Sequence, residues 1–425
     1  MTVADPRTLL SSLFHVAVAA ADPGKIMSAW LPEPPRGRTV VIGAGKGAAA
    51  MACAFDEAWP HELQGVVVTR YGYAVPCRRI QVLEAAHPMP DEAGLEASRV
   101  MMKAVSGLTS DDLVVALISG GGSALLPAPP DGLTLADEQD FTRALLESGL
   151  PISDMNLLRK HVSRIKGGRL ALAVAPARLV TLVLSDVPGD NPAYVASGPT
   201  VPDPGTRADA LALIAQTRLL LPNRVMQHLR SPSADAPLPS DPALGNQEVH
   251  VIGSASVSLD AAAAQCMHQF GLPAVILSDR IEGEAREIGR MHAAIACEVA
   301  TRNRPFSRPV LLLSGGETGV AVSGFAGRGG RNTEFALSLA IGVQTMRGIS
   351  ALAADTDGID GSNESAGAFV DTTTVSRLRQ AGVDPKKFLA DHSSGDAFDL
   401  IGDSFVTGPT RTNVNDFRAI LIDDV

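Results

Sequence analysis

Glycines interleaved with a lysine follow the first strongly apolar run of the chain. The segment Gly43 to Ala48 reads GAGKGA, comes directly after a β-branched run and opens an alanine-rich stretch. Glycine lets a backbone approach a ligand closely, and unpaired N–H groups at a helix N-terminus favour an anion. Gly45, Lys46 and Gly47 are therefore candidate ligands of a phosphate or a carboxylate, with Lys46 supplying the positive charge.

The same segment also fits the pattern GxGxxA, so a dinucleotide site is an alternative. That fingerprint requires an acidic residue after the second strand to bind the ribose hydroxyls. The second predicted strand ends at Thr69-Arg70 instead, which disfavours NAD and leaves NADP as a weaker alternative. Close packing of a strand on a helix would be a purely structural use of these glycines.

A second glycine-rich segment, SGGGS, follows the apolar run LVVALI. Successive backbone N–H groups in such a turn can cradle a phosphate, and a flexible hinge is the alternative. Neither serine lies in a GxSxG elbow, which disfavours a hydrolase nucleophile. The candidate anion ligands of this segment are Ser119, Gly120, Gly121, Gly122 and Ser123.

Cations are concentrated in the segment NLLRKHVSRIKGGRL, whose apolar residues are spaced as on a helix. In an acidic chain this concentration indicates a site for an anionic substrate or nucleotide, and a solvated helix face would explain some of it equally well. Lys160 and Lys166 are the candidate ligands. The cations of the segment are Arg159, Lys160, Arg164, Lys166 and Arg169.

Carboxylates follow two predicted strands. Asp186 and Asp190 lie in SDVPGD, at the carboxyl end of a strand, where open α/β sheets bind ligands. Aspartates without a histidine or cysteine partner suit Mg²⁺ rather than zinc. Asp355 and Asp357 in ADTDGIDG form a second candidate metal or hydroxyl-binding loop, for which a turn-rich acidic loop is the alternative.

The second half of the chain repeats the combination of glycine and cation. SGGET ends one predicted strand, and GRGGRN opens a predicted helix. A guanidinium and backbone donors at a helix N-terminus favour an anion. The candidate nucleotide or substrate ligands here are Gly315, Gly316, Glu317, Thr318, Arg331 and Asn332.

The elements that must position these residues are strands and helices in alternation. Short β-branched runs alternate with Ala- and Leu-rich stretches, which predicts an α/β fold with mainly parallel sheets. The segment 231–246 is rich in Pro, Ser and Asp and predicts a linker, so we expect domains at 1–240 and 241–425. The predicted strands are Thr39–Gly43, Gly65–Thr69, Leu113–Ser119, Leu179–Ser185, Val249–Gly253, Ala274–Ser278, Val310–Ser314, Ile349–Ala354 and Phe417–Ile422.

Composition limits the classes of function. The 425 residues exceed one ordinary domain, and 36 Lys and Arg against 46 Asp and Glu give a net charge of −10, which disfavours nucleic-acid binding. Four dispersed cysteines form no CxxC pair, so a zinc site or a disulfide framework is not expected. No apolar run is long enough for a membrane helix. We expect a cytoplasmic protein with no membrane or nucleic-acid partner.

Taken in order, these motifs resemble those of the class II glycerate kinases, the D-glycerate 2-kinase family, whose older members were labelled hydroxypyruvate reductases. The resemblance covers nearly the whole chain. The N-terminal domain is matched by IGAGKGAAAMA, HPMPD, SGGGSALL, NLLRKHVSRIKGGRLA and SDVPGDNPAYVASGPT. The C-terminal MOFRL domain, at about residues 309–420, is matched by SGGETGVAV, GRGGRNTEFAL, ADTDGIDG and TGPTRTNVND.

The resemblance implies a Rossmann-like N-terminal three-layer sandwich, a C-terminal α/β domain and an active site in the cleft between them. It also implies transfer of the γ-phosphoryl group of ATP, with Mg²⁺, to the 2-hydroxyl of D-glycerate. Lys46 and Arg331 would be the essential cations, one on the carboxylate and one on the phosphoryl group. Asp186 would bind Mg²⁺ or orient the hydroxyl.

Two other classes of function stay open at this point. An NAD(P)H-dependent hydroxypyruvate reductase would need a dinucleotide site at Gly43 to Ala48, and a sugar-acid or nucleotide-binding protein would need no catalytic groups. The binding-protein alternative does not explain why cations and carboxylates accompany the glycine-rich segments of both halves. A homodimer is compatible with the sequence.

Overall fold

The computed structural model describes residues 5–322, 327–410 and 412–424. The chain forms two compact units. The first unit is residues 23–252, and the second is the described part of residues 1–22 and 253–425. The α/β class predicted from the sequence is confirmed.

The first unit contains a six-stranded sheet in the order β3-β2-β1-β4-β5-β6. The neighbouring pairs from β3 to β5 are parallel. The sheet order is that of doubly wound folds, in which ligands bind beyond the carboxyl ends of the strands where the order reverses. That point lies between β1 and β4. The strands are β1 Thr39–Ala44, β2 Gln64–Arg70, β3 Ile80–Ala85, β4 Leu113–Ser119, β5 Arg178–Leu184 and β6 Gln247–Gly253.

Helices cover both faces of this sheet, because its central strands are buried on both sides and alternate their apolar residues between two cores. Val40 and Ile42 of β1 face one core and Val41 faces the other. The arrangement gives three layers. The helices of the first unit are α2 Pro23–Ile26, α3 Ala48–Ala58, α4 Glu92–Ala104, α5 Gly122–Leu125, α6 Leu135–Glu147, α7 Ile152–His161, α8 Arg169–Val174, α9 Arg207–Thr217 and α10 Asn223–Arg230.

The second unit contains a six-stranded sheet in the order β13-β12-β11-β14-β9-β7 and a small sheet of β8 and β10. In the large sheet only β7 and β9 pair in parallel, and the other described pairs are antiparallel. The prediction of mainly parallel sheets is therefore wrong for this unit. The strands are β7 Ala274–Ser278, β8 Gly283–Glu284, β9 Val310–Ser314, β10 Thr318–Gly319, β11 Ile349–Asp355, β12 Gly367–Asp371, β13 Ser404–Phe405 and β14 Asp416–Ile422.

The large sheet of the second unit also carries helices on two faces. α1 and α11 cover one face, where Phe14 of α1 packs edge-on against Phe405 and Phe417. The α12 and α13 helices pack on the other face. The helices of the second unit are α1 Pro6–Ala19, α11 Ala255–Phe270, α12 Ala285–Arg302, α13 Arg331–Val343, α14 Thr374–Gln380, α15 Pro385–Ala390 and α16 Ser394–Ile401.

The division of the chain differs from the predicted boundary at residues 240 and 241 in two places. Strand β6 joins the sheet of the first unit, whereas the predicted boundary assigns it to the second domain. Helix α1 packs in the second unit because Leu9, Leu13 and Phe14 form an apolar face that is buried against its sheet. Among the described residues, no helix is both long and apolar enough to cross a membrane.

Candidate active site

In the lysine-containing turn after β1, the backbone N–H groups are hydrogen-bonded within the protein. A Cβ on Gly45, whose φ is +133°, would come within 2.2 Å of the Ser119 hydroxyl, so glycine is required there. The amide of Gly45 donates to a carbonyl of β2, that of Lys46 to the carbonyl of Gly120, and that of Gly47 to the Ser119 hydroxyl, at 2.9 Å. These three amides are therefore not available to an anion, contrary to the prediction, and Ser119 joins two loops. Of this turn, the Lys46 side chain remains as a candidate ligand.

The glycine-rich turn after β4 has backbone N–H groups that are available to a ligand. The amides of Gly120, Gly121 and Gly122 have no acceptor among the described residues. Gly121 adopts φ +80°, and a Cβ there would lie 3.1 Å from Cγ of Lys46 and 3.2 Å from Nε2 of His87. This turn, rather than Gly45 to Gly47, is the one that offers backbone N–H groups at the carboxyl edge of the sheet.

A carboxylate lies against the same turn. A Cβ on Gly120 would overlap Oδ2 of Asp186, at 1.6 Å, so the side chain of Asp186 packs directly on this glycine. Asp186 follows β5, the neighbour of β4 in the sheet. Asp190 lies four residues further on with a φ of +57°, and its amide donates to the carbonyl of Val187. The structure thus brings Asp186 to the glycine turn.

A chain of hydrogen bonds leads from the turn to helix α7. The Ser123 hydroxyl lies 2.7 Å from that of Ser197, which donates to Oδ1 of Asn156 at 2.8 Å. The single Ser197 hydrogen is used by Asn156, so Ser123 must be the donor in the first bond. Nη1 of Arg159 donates to the same Asn156 oxygen, at 3.3 Å. Ser123 therefore helps to fix Asn156 and Arg159 rather than offering its hydroxyl to a ligand.

The three cations that surround His87 lack a carboxylate partner among the described residues. Lys46, Arg70 and Arg159 form no ion pair with the carboxylates of the described residues. Burial first, and then the charges of these three cations, lower the pKa of His87 from 6.5 to about 4. His87 is therefore neutral at pH 7 inside a positively charged surrounding. Unpaired cations beside free backbone donors form a site for an anion.

Lys160 and Lys166, by contrast, are held by internal partners. Nζ of Lys160 donates to Oδ1 of Asp203, at 2.5 Å, and that of Lys166 to Oε1 of Glu138, at 2.9 Å. Both lysine side chains are only 3% exposed. Their ammonium groups stabilise the fold around α7, and we leave them out of the candidate site.

In the second unit, Arg331 is surrounded by carboxylates. Nη1 lies 2.8 Å from Glu317, Nη2 lies 2.7 Å from Asp355, and Nε lies 2.7 Å from Asp416. Burial alone would lower the pKa of Arg331, but the three carboxylates outweigh it and raise that pKa. The charge of the guanidinium is therefore already compensated by carboxylates of the chain itself.

The N-terminus of α13, a predicted anion site, is occupied by the chain itself. The Asp360 carboxylate accepts the amides of Asn332 and Thr333, each at 2.8 Å, and the Thr333 hydroxyl at the same distance. The amide side chain of Asn332 donates to Oδ1 of Asp416, at 2.8 Å. Asn332 is thus part of a buried internal network, and Asp360 holds the position that a ligand anion would take.

The SGGET turn joins this network. Gly316 adopts φ +113°, and a Cβ there would come within 2.3 Å of the backbone that follows β7. The Gly315 carbonyl accepts from Arg418, and both the amide and the hydroxyl of Thr318 donate to Asp416, at 3.1 Å. Arg418 is fully buried and also pairs with Asp416. Gly315, Gly316 and Thr318 therefore have structural roles.

The second pair of predicted metal ligands is adjacent in the structure. The Asp357 amide donates to Oδ1 of Asp355 at 3.1 Å, and burial raises the pKa of Asp355 well above its usual value, against the effect of Arg331. Within residues 5–322, 327–410 and 412–424, no group of three or more His, Cys, Asp or Glu side chains is placed to hold a metal ion. Arg411 of the motif TGPTRTNVND lies outside the described residues.

Three residues of the first-unit site are absent from the ligands predicted above, although the sequence holds signals for them. Arg159 lies in the cationic segment, where the prediction favours its neighbours Lys160 and Lys166. Arg70 ends the second strand, where it counts only against NAD. His87 belongs to the HPMPD motif, and no local pattern distinguishes it from a packed histidine.

Comparison with known proteins identifies the family. The family described as a domain of unknown function, DUF4147, matches residues 9–230, and the MOFRL family matches residues 310–416. The chain is 38% identical to a D-glycerate 2-kinase of Thermotoga maritima, over 98% of this chain and 99% of the relative. The crystal structure of a glycerate kinase from that organism superposes with a TM-score of 0.89 at 37% identity and covers 98% of this chain and 99% of that one. The chain belongs to the glycerate kinase family with a C-terminal MOFRL domain.

Names within this glycerate kinase family are not uniform. A relative from Agrobacterium vitis, 52% identical over 98% of this chain and 94% of its own length, is provisionally named a hydroxypyruvate reductase. A relative from Pyrococcus horikoshii, 40% identical over 89% of this chain and 86% of its own length, is named a glycerate 2-kinase. Family membership therefore supports a kinase, and the reaction has to be argued from the site.

Proposed function

We propose that the chain is an ATP-dependent kinase that transfers the γ-phosphoryl group to the 2-hydroxyl of D-glycerate, giving 2-phosphoglycerate and ADP. The observation that carries the proposal is the group of three unpaired cations, Lys46, Arg70 and Arg159, next to the free amides of the SGGGS turn. Phosphoryl transfer needs such cations and N–H donors. Its catalysis consists largely of positioning two anions and neutralising the charge that spreads over the transferred oxygens.

In the proposed reaction, the 2-hydroxyl oxygen forms a bond to the γ-phosphorus while the bond from phosphorus to the ADP oxygen breaks. The hydroxyl proton leaves to a carboxylate, for which Asp186 is our candidate. Lys46 stabilises the negative charge on the transferring group as a compact point charge. Arg331 acts as a positioning residue, because it holds Glu317, Asp355 and Asp416 together.

Mg²⁺ fits the donor set of the first unit. Magnesium is usually bound by one or two carboxylates together with substrate phosphates and water. Asp190, which follows β5 in the same loop as Asp186, would supply a carboxylate there, so that Asp186 keeps its role as proton acceptor. Asp355 is a weaker candidate because Arg331 already pairs with it. When bound, the ion would neutralise charge on the β- and γ-phosphates.

The name of the Agrobacterium vitis relative makes hydroxypyruvate reductase the second candidate. A dinucleotide site in a doubly wound sheet uses the amides of the first glycine turn for the pyrophosphate. Here the amides of Gly45, Lys46 and Gly47 are used within the protein. The arginine at the end of β2 also disfavours NAD. These two observations favour the kinase.

A single assay distinguishes the two reactions. The purified chain is mixed with D-glycerate, ATP and Mg²⁺, ADP release is followed, and the product is coupled directly to enolase. We expect ADP release and an enolase signal without added mutase, which identifies the 2-phosphate. Oxidation of NADPH with hydroxypyruvate and no ADP release would overturn the proposal. A cytoplasmic location and a homodimer stay predictions.

A further inference from the structure

We propose that Arg159 binds the carboxylate of the acceptor substrate and so selects 2-hydroxy acids over neutral polyols. The inference rests on the proposed function, and it assigns a specific role to a residue that sequence motifs did not single out. Its basis is the difference between Arg159 and the other cations of its segment, together with the hydrogen bonds that fix it beside the SGGGS turn.

Arg159 differs from the other cations of the segment because it bonds neither a carboxylate nor a backbone carbonyl among the described residues. Lys160 pairs with Asp203, Lys166 with Glu138, and Arg164 with Asp131. The guanidinium of Arg169 donates to backbone carbonyls. Arg159, although partly buried, bonds only the neutral amide oxygen of Asn156 among the described residues. A partly buried cation without a counter-ion is unfavourable unless a ligand supplies the charge.

The position of Arg159 is defined by more than its own side chain. Oδ1 of Asn156, which accepts from Arg159, also accepts from Ser197, and Ser197 in turn accepts from Ser123. Ser123 follows the SGGGS glycines directly. The network therefore ties the guanidinium to the turn whose amides are free, and orders a long side chain before any ligand arrives. Such ordering lowers the entropic cost of binding.

The chemistry of the two cation types decides which anion each one takes. A guanidinium presents two parallel N–H donors that match the two oxygens of a carboxylate, whereas an ammonium is a point charge that suits a group whose oxygens move during transfer. The charge of Arg331 is already compensated by three carboxylates. Arg159 is therefore better suited to the substrate carboxylate than Arg331, and Lys46 is left for the phosphoryl group.

Arg70 supports the same site from the end of β2. The Thr69 hydroxyl donates to the Lys46 carbonyl at 3.3 Å, which places the end of this strand beside the lysine turn. The guanidinium of Arg70 lies 4.2 Å from the ring centre of Tyr73, so one of its faces is covered by the ring. We assign Arg70 a long-range electrostatic role and Arg159 the direct contact.

The test compares Arg159→Gln and Arg159→Lys with the control Arg164→Gln, which removes an exposed cation of the same segment. We expect Arg159→Gln to raise KM for D-glycerate by about 10- to 100-fold, as for loss of a charged hydrogen-bonded pair, and to leave KM for ATP unchanged. Arg159→Lys should give a KM for D-glycerate between those of wild type and Arg159→Gln, because lysine keeps the charge but lacks the two parallel N–H donors. The control should behave as wild type.

Discrimination between acceptors gives a readout that a merely structural role would not move. The ratio of kcat/KM for D-glycerate to that for its neutral isostere D-glyceramide should fall by about 10-fold or more in Arg159→Gln. Thermal unfolding of each variant shows whether it is folded. An unchanged ratio, or a raised KM for ATP with an unchanged KM for D-glycerate, would overturn the inference.

Binding separates failure of the inference from failure of the proposed function. Calorimetric titration with D-glycerate alone, without nucleotide, should give weaker binding by Arg159→Gln than by wild type. If wild type binds D-glycerate through Arg159 but releases no ADP, the kinase proposal fails and the carboxylate site stands. If wild type is a D-glycerate kinase and Arg159→Gln retains its KM, the kinase stands and the carboxylate site fails.

Discussion

The lysine turn of the first unit and the Arg331 segment of the second unit are similar in sequence and differ in electrostatics. Both place a cation among glycines where a helix begins. Around Lys46 the backbone donors are used internally and the cation has no carboxylate partner among the described residues. At Arg331 the cation has three carboxylate partners, and Asp360 fills the helix N-terminus. A cation among glycines at the start of a helix therefore does not by itself identify an anion site. The cation is available to a ligand only where no carboxylate of the chain pairs with it.

The largest expected effect is a loss of turnover on removal of Lys46, which tests whether the lysine turn of the first unit acts in catalysis. Lys46→Ala should lower kcat/KM for phosphorylation by about 10³-fold or more, because a cation on the transferring group is lost. Stability should change by no more than about 0.5 kcal/mol, since no ion pair is broken. Steady-state kinetics and thermal unfolding measure the two, with Lys103→Ala, at an exposed position of α4, as the control. Near-full activity would remove Lys46 from the mechanism.

The second prediction tests whether Arg331, in the second unit, stabilises the fold through its carboxylate partners. Arg331→Ala should destabilise the second unit by about 3–5 kcal/mol, because Asp355 is left buried without a counter-charge and Asp416 keeps only Arg418. Adding Asp355→Asn should recover part of the loss, whereas Arg328→Ala, which removes a half-exposed arginine, should cost less than about 1 kcal/mol. Denaturant unfolding measures each variant. A fully stable Arg331→Ala that is inactive would show that the two segments work alike, contrary to the comparison.

A smaller loss is expected from the cap of α13. Asp360→Asn keeps the shape of the side chain but removes the charge that accepts the Asn332 and Thr333 amides, and should cost about 1 kcal/mol. The matched variant Asp384→Asn alters the cap of the short surface helix α15 and should cost less. Chemical denaturation compares the two. Equal losses would mean that the buried position of Asp360 adds nothing.

The smallest effect is a pKa change that distinguishes the two clusters without mutation. His87 and His292 both have a pKa lowered from 6.5 to about 4, chiefly by burial. Inorganic phosphate bound near Lys46 would favour the charged imidazolium, so the pKa of His87 should rise by about one unit while that of His292 stays fixed. Titration followed by NMR measures both. A parallel rise in both histidines would contradict a local anion site.

The sign of the pH dependence of stability follows from the same two histidines. Between pH 6.5 and about 4 they stay neutral in the folded chain, whereas the unfolded chain binds protons. The free energy of unfolding should therefore fall as the pH is lowered through this window. Bound phosphate should weaken the part of this dependence that belongs to His87.

Strand positions are largely predictable, because β-branched apolar runs between glycine-rich turns are local features. Leu113–Ser119 and Val310–Ser314 are predicted with the bounds that the structure has. The strands Ile80–Ala85 and Gly367–Asp371 are missed, since charged or small residues interrupt their apolar pattern. The antiparallel pairing of the second sheet cannot be foreseen, because direction depends on which distant strands become neighbours.

Site residues are predictable in kind but not in role. The sequence places cations and glycines at strand ends, and in the structure Lys46 and the SGGGS turn do follow strands β1 and β4. It does not reveal that Asp203 and Glu138 neutralise Lys160 and Lys166, because those partners are 43 and 28 residues away along the chain. Whether a charge is available to a ligand is a tertiary property.

The return of helix α1 to the second unit has a consequence for biosynthesis. This helix is synthesised before the first unit, but its partners in the sheet and α11 follow residue 252. The first unit is an uninterrupted segment of the chain. It can complete its sheet before the strands and the helix that bury the apolar face of α1 have been synthesised. The sheet of the second unit can be completed only after β14 has been synthesised, so the apolar face of α1 is without its partners until then.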